Sequence, residues 1–202
     1  MPDPAWQAVS TMDEISTGAG SDVGASPASP YRPELAAGLA AIALTVILLD
    51  QLSKILAVHG LTGRPPVPVV GTLVQLLLTR NAGAAFSMAT GSTWVFTLIA
   101  IVVAAVIVRT ARRLGSWWWA AALGLLLGGA VGNLLDRLFR APGFGRGHVV
   151  DFIQFPHFPV FNLADSCIVA SAVLIGWLGL RGIGIDGRPV PDARRRQAPD
   201  GG

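Results

Sequence analysis

Four stretches of this chain stay apolar for close to the 20 or so residues that a helix needs to cross hydrocarbon. They run roughly over 35–58, 93–108, 117–138 and 160–180. The second is the shortest and can borrow length from Thr90 to Ser92. Residues 59–92 are too many for a bare connector. Within them Val67 to Thr79 is rich in Val, Leu and Thr but broken by Pro68 and Gly71, which predicts short strands. Arg80-Asn81-Ala82-Gly83-Ala84-Ala85-Phe86-Ser87 then predicts a turn against the membrane. Residues 139–159, with Pro142, Gly143, Gly145, Gly147, Pro156 and Pro159, predict a loop that carries Asp151 and is positioned to cover or open a site below it. The expected fold class is an α-helical membrane protein, with four transmembrane helices over 32–182 and a small extracytoplasmic β-rich subdomain from the first outer loop.

Residues 1–31 are rich in Ser, Gly, Pro, Ala and Asp and predict a disordered tail, as does the Arg-rich stretch 183–202. No basic segment followed by a short apolar core opens the chain, so no signal peptide is expected.

Composition supports the membrane reading: of 202 residues 52% are hydrophobic and 13% charged. The net charge of +3 comes from dispersed cations, apart from Arg112-Arg113 and Arg194-Arg195-Arg196, with no aromatic-interleaved basic patch. Membrane lipid is therefore an expected partner and nucleic acid is not. Cys167 is the only cysteine, which excludes an intrachain disulfide and reads as a small buried thiol.

The distribution of cations sets the expected topology. Arg32, the three arginines at 109–113 and the five from Arg181 to Arg196 put nine cations on one side, against six on the other (Lys54, Arg64, Arg80, Arg137, Arg140, Arg146). Setting aside Lys54, Arg80 and Arg137, which sit within polar clusters, leaves nine against three and favours both termini in the cytoplasm. Asp50, Ser53 and Lys54 then lie near the outer end of the first helix. Asn133, Asp136 and Arg137 lie near the outer end of the third. Asn162 and Asp165 lie in the first turns of the fourth, roughly 8 Å deep at 1.5 Å per residue. The spacings within each group are i, i+3 or i, i+4, so three helices aim polar faces at one level of the membrane. Gly124/Gly128 and Gly128/Gly132 on the third helix have the small-xxx-small spacing that permits close helix approach.

Carboxylates at membrane depth are costly, and each is a functional candidate. Asp50 has Lys54 one turn on, Asp136 has Arg137 beside it, and Asp186 trails outside the apolar stretches. Asp151 and Asp165 have no cation nearby in sequence, which points to acid–base chemistry. Other readings exist for each group. Isolated Asn133 or Asn162 serves well as interhelical glue, and Asp151 alone as a solvated loop acid. His148 and His157 near Asp151 lack the tight spacing of a metal site, and Ser87 and Ser166 lack a nucleophile-elbow setting. No metal or cofactor is expected. A small transporter would hold its acids near the midplane at a repeat interface rather than near one surface. A membrane scaffold would have no reason to gather unpaired acids.

Five blocks in order resemble lipoprotein signal peptidase, also called signal peptidase II. They are Asp50-Gln51-Leu52-Ser53-Lys54, Asn81-Ala82-Gly83-Ala84-Ala85-Phe86-Ser87, Gly128 through Asn133 to Asp136-Arg137, Val149-Val150-Asp151-Phe152-Ile153, and Phe161-Asn162-Leu163-Ala164-Asp165-Ser166. The resemblance spans roughly residues 35–180. It implies an aspartic endopeptidase of the bacterial inner membrane that removes signal peptides from diacylglyceryl-modified prolipoproteins, cutting before the lipidated cysteine near the outer face. It implies Asp151 and Asp165 as the catalytic pair, the same two acids that lack a nearby cation. Two carboxylates sharing a site hold one proton between them, and which one carries it is left open. Asp50, Lys54, Asn81, Gly83, Asn133, Asp136, Arg137 and Asn162 are the remaining candidates for binding substrate or organising the site. Among these, Asp50–Lys54 is expected as a structural ion pair, Asn81 and Gly83 as holding substrate backbone, and Arg137 as fixing a carbonyl. One bundle supplies every cluster, so a monomer suffices.

Overall fold

A computed structural model describes residues 32–83 and 93–190. Its elements are helix α1 (Pro33–Leu61), strands β1 (Val67–Val70) and β2 (Val74–Asn81), helix α2 (Thr93–Thr110), helix α3 (Trp117–Phe139), strand β3 (Val149–Gln154) and helix α4 (Leu163–Leu180). Among the described residues four helices are long and apolar enough to cross a membrane, as the hydrophobic pattern predicts. The expected tail over 1–31, the block Ala84 to Ser87, the extension at Thr90–Ser92 and Arg194–Arg196 lie outside the described residues.

α1 opens on Pro33, whose fixed φ suits a first helical position. Its 29 residues are about 43 Å long, more than the roughly 30 Å hydrocarbon core requires. Its buried residues form one stripe: Leu35, Leu39, Ala43, Val46, Asp50, Lys54, Ala57 and Leu61. The stripe changes from apolar to charged midway without changing its helical period. The opposite face, with Leu44, Leu48, Leu52 and Leu56, is more than half exposed and suits lipid rather than water.

α3 lies between α1 and α4 and also meets α2. Its glycines allow this closeness. A Cβ on Gly128 would lie 2.6 Å from Cβ of Val46, and one on Gly132 would lie 2.6 Å from Oδ2 of Asp50. On the other side, a Cβ on Gly129 would lie 2.5 Å from the Ala164 carbonyl oxygen of α4. Buried Ser171 donates to the Ala122 carbonyl at 2.7 Å and ties α4 to α3.

The two ends of the bundle differ in chemistry. Near the α2–α3 turn, Leu35, Leu39, Ile107, Leu114, Ala120 and Leu123 form a buried apolar cluster, with Ile185 packed against it. Residues 183–190, expected to be part of a disordered tail, instead fold back onto this end. The Ile185 carbonyl accepts from Gly115 N–H at 3.0 Å, and the Ile183 carbonyl accepts from Trp119 Nε1 at 3.0 Å. Ile183 also bridges Pro189. Glycine and proline made this stretch look loose in sequence, but here they form a tight turn: Gly187 has φ +76°, and a Cβ on Gly115 would run into the Asp186 backbone. Residues 191–202 lie outside the described residues.

At the other end is a three-stranded antiparallel sheet in the order β1-β2-β3. β1 and β2 are the short strands predicted between Val67 and Thr79. β3 is a correction, because its residues had been expected in a loop. Val149-Val150-Asp151-Phe152-Ile153-Gln154 is strand-forming sequence hidden among flanking glycines and prolines, and its backbone pairs with β2. Thr79 lies opposite Asp151, Arg80 opposite Val150 and Asn81 opposite Val149. Gly147 N–H donates to the Arg137 carbonyl at the end of α3 and His148 N–H closes the segment onto the Ala141 carbonyl, so Asp151 rides on a paired strand rather than in a loop.

Candidate active site

Every predicted polar cluster reaches the sheet end of the bundle, and a continuous hydrogen-bond network joins them. Lys54 is its centre. The ammonium has three donors and no acceptor capacity. It spends them on Asp50 Oδ2 at 2.8 Å, Asp136 Oδ2 at 2.9 Å and Asn133 Oδ1 at 2.9 Å. Lys54, Asp50 and Asp136 are all fully buried. Arg140 Nε reaches Asp136 Oδ1 at 2.5 Å, so two buried carboxylates face two cations. Burying such charges is expensive, and only this degree of mutual pairing offsets the cost.

The two carboxylates beside Lys54 also reach the backbone just ahead of the candidate catalytic acids. Asp136 Oδ2 accepts from Val150 N–H at 3.1 Å, one residue before Asp151. Asp50 Oδ1 accepts from Ala164 N–H at 3.0 Å, one residue before Asp165. Gln51 Nε2 closes the gap, donating to the Gly132 carbonyl at 3.0 Å and to Asp50 and Asp136 at 3.2 and 3.3 Å.

Because an ammonium can only donate, Lys54 fixes the Asn133 amide with its oxygen inward. Asn133 Nδ2 must then turn outward, and it donates to Asp165 Oδ1 at 2.8 Å. Asn162 is fixed similarly. It is the N-cap of α4 and, with Asp165 at the third helical position, forms a reciprocal capping box. Asn162 Oδ1 accepts from Asp165 N–H at 3.0 Å, and Asp165 Oδ2 accepts from Asn162 N–H at 3.2 Å. The three-residue spacing expected to share a helix face is therefore a cap, because α4 begins one residue after Asn162. With its oxygen committed, Asn162 donates through Nδ2 to Asp151 Oδ1 at 2.6 Å and to Asn133 Oδ1 at 3.2 Å.

Asp151 Oδ2 accepts from Asn81 Nδ2 at 2.9 Å across the β2–β3 pair. Asn81 Oδ1 accepts from Gly83 N–H at 2.8 Å in a turn where Gly83 has φ +101°. Asp151 is 2% exposed, and burial pushes its carboxyl from 3.8 up to about 6. The Asp165 charge adds to that rise, while the amides of Asn81 and Asn162 and the charge of Lys54 oppose it. Asp165 is less enclosed. It lines an apolar groove of about 700 Å³ walled by Phe155, Phe158, Phe161 and Val169. Phe155 and Phe161 stack with centroids 5.7 Å apart.

Adjacent residues on a helix point in different directions, so Arg137 is not the ion-pair partner of Asp136; Lys54 and Arg140 are. The Arg137 guanidinium lies over the Phe96 ring at 5.2 Å, and its buried Nη1 has no hydrogen-bond partner among the described residues. Sequence reasoning missed Arg140 and Gln51. The i, i+4 spacing of Asp136 and Arg140 was a usable signal for the first. Nothing in the sequence announces the backbone donors at Val150 and Ala164.

A profile of the family described as Signal peptidase (SPase) II matches residues 42–181. The chain is 50% identical over 170 residues to a protein of Leifsonia xyli named lipoprotein signal peptidase, covering 82% of this chain and 79% of that protein. It is 45% identical over 186 residues to the protein of that name from Mycobacterium tuberculosis, covering 92% and 91%. A solved structure described as a bacterial membrane enzyme, determined by the in meso method at 1.9 Å resolution, superposes with a TM-score of 0.64 at 27% identity, covering 76% of this chain and 97% of that one. The profile covers well over half of the chain and the relatives match along most of its length, and on that ground the chain belongs to the signal peptidase II family.

Proposed function

We propose that this protein is a membrane aspartic endopeptidase that removes signal peptides from diacylglyceryl-modified prolipoproteins, cutting before the lipidated cysteine, with Asp151 and Asp165 as the catalytic pair. The observation that carries the reading is Asn162. As the N-cap of α4 it is locked to the Asp165 backbone, and its amide donates to Asp151. One residue therefore yokes an acid on a strand to an acid on a helix.

In the proposed mechanism the pair shares one proton. The ionised carboxylate takes a proton from water, which attacks the scissile carbonyl. The protonated partner donates to the carbonyl oxygen as the tetrahedral intermediate forms. Burial raises the Asp151 carboxyl, which suits it to hold that proton. The remaining candidates divide by contact. Asp50, Lys54, Asp136, Asn133 and Asn162 hold the acids in register. Asn81 is engaged at both ends of its amide, so we read it as orienting Asp151, with Gly83 giving the substrate backbone room to approach. Arg137, whose Nη1 has no partner among the described residues, is left to donate to a substrate carbonyl. The groove beside Asp165 suits the apolar part of a lipid-modified substrate. Both termini lie in the cytoplasm, the acids lie near the outer face of a bacterial inner membrane, and a monomer suffices.

The test is a gel-shift assay on purified protein in detergent with a diacylglyceryl-modified prolipoprotein. Wild type is expected to release the signal peptide, and Asp165→Asn and Asp151→Asn to release none while keeping the wild-type helical signal. Normal turnover by both variants defeats the dyad. Inactive wild type on a substrate that a relative cleaves defeats the peptidase reading.

A further inference from the structure

At the end of the bundle opposite the acids, the last turn of α2 and the single 3-10 turn after it (Ala111–Arg113) carry Arg109, Arg112 and Arg113. All three are exposed, and none has an acidic partner within ion-pair distance among the described residues. They border two cavities. One, of about 450 Å³, is lined by Val106, Arg109, Thr110, Arg113, Ile185 and Asp186. The other, of about 420 Å³, shares Arg109 and takes in Ala104, Ala105, Val108 and Arg112.

The first cavity has a fixed wall. Ile185 and Asp186 belong to the turn bonded to Gly115 and Trp119, so the cavity is more than a gap between mobile arginines. The Asp186 carboxylate already accepts from Arg188 N–H at 3.1 Å within that turn. Three guanidiniums against one carboxylate leave a net positive site. Arg109 and Arg113 both line the first cavity, so both can turn toward a ligand there. Directly along the helix from these cations, Val106 and Val108 are 57% and 60% exposed. A ligand here meets paired guanidiniums at one level and bare aliphatic surface within the next turn. That sequence of polarities matches the phosphate and acyl chains of a phospholipid.

From this geometry we infer that Arg109 and Arg113, with Arg112 on the flank, form a binding site for the phosphate headgroup of an anionic membrane phospholipid, whose acyl chains lie along α2. The site is remote from the acid network, and its test does not depend on peptidase activity.

The full chain is reconstituted in nanodiscs of equal phosphatidylglycerol and phosphatidylcholine, released, and weighed by native mass spectrometry. Wild type is expected to retain phosphatidylglycerol roughly tenfold over phosphatidylcholine. Arg109→Gln/Arg113→Gln is expected to retain both about equally, while Arg64→Gln, an exposed arginine at the other end, keeps the wild-type bias. Equal retention of the two lipids by wild type overturns the inference without recourse to any variant. So does an unchanged bias in the double variant, or an equal loss of bias in Arg64→Gln. Displacement of the retained lipid by inorganic phosphate alone overturns the lipid as occupant.

Discussion

Asp151→Asn is expected to make the protein more stable at pH 8 relative to wild type than it does at pH 4. In the folded chain the Asp151 carboxyl titrates at about 6 against an ordinary 3.8. Below 3.8 the acid is protonated whether the chain is folded or not, and it contributes nothing. Between the two values the folded state holds a proton that the unfolded state has released, so stability falls as pH rises. Above 6 the loss is complete, at about 3 kcal/mol for the two-unit difference. Asn carries no charge and removes that loss. It also sets an N–H₂ against one of the donors from Asn81 and Asn162, costing about 1–3 kcal/mol, but this cost does not change with pH and cancels in the comparison. The stability difference between variant and wild type should therefore grow by about 2.5 kcal/mol from pH 4 to pH 8, or roughly 5–10 °C in Tm. Thermal unfolding in detergent, followed by tryptophan fluorescence across that range, reads it directly. Parallel curves, differing by a constant offset at every pH, refute a buried Asp151 with a raised pKa.

Lys54→Met leaves Asp50 and Asp136 buried without their shared cation, so a loss of about 3–5 kcal/mol is expected in denaturant or thermal unfolding, and a loss below about 1 kcal/mol contradicts the pairing. Gly129→Ala forces α3 away from the Ala164 carbonyl next to Asp165, so turnover should fall well below wild type in the gel-shift assay. Gly176→Ala, which meets nothing within 4 Å, should leave turnover unchanged and raise stability by up to about 1 kcal/mol. Trp119→Phe removes the bond to the Ile183 carbonyl, at a cost of about 1 kcal/mol, and hydrogen exchange should become faster at residues 183–190 than elsewhere.

The helices were legible because lipid imposes a length and a polarity that sequence displays directly, and Asp50, Asn133, Asp136 and Asp165 could be assigned to one level because helical rise converts residue number to depth. The sequence was misleading wherever partners came from a different element or an adjacent residue drew attention. Asp136 stands next to Arg137 in sequence but bonds Lys54, Arg140 and the Val150 amide, since a helix turns neighbours about 100° apart. β3 was obscured because a six-residue strand flanked by Gly147 and Pro156 has little local signal, and its pairing with β2 lies about seventy residues away. The turn at 183–190 was missed for the same reason: glycine content reads as looseness until the surface it packs on is known.

Asp151 and Asp165 are mounted on unlike bodies. One rides on a three-stranded sheet of 18 residues in strands, the other on a helix gripped by α3 along its length. Small sheets with exposed edges open locally at lower free energy than the helical core beside them. On heating, the sheet is expected to lift and separate the acids while the helices remain intact. For the proposed pair, inactivation and unfolding then become two events, with activity lost first and recovered on cooling.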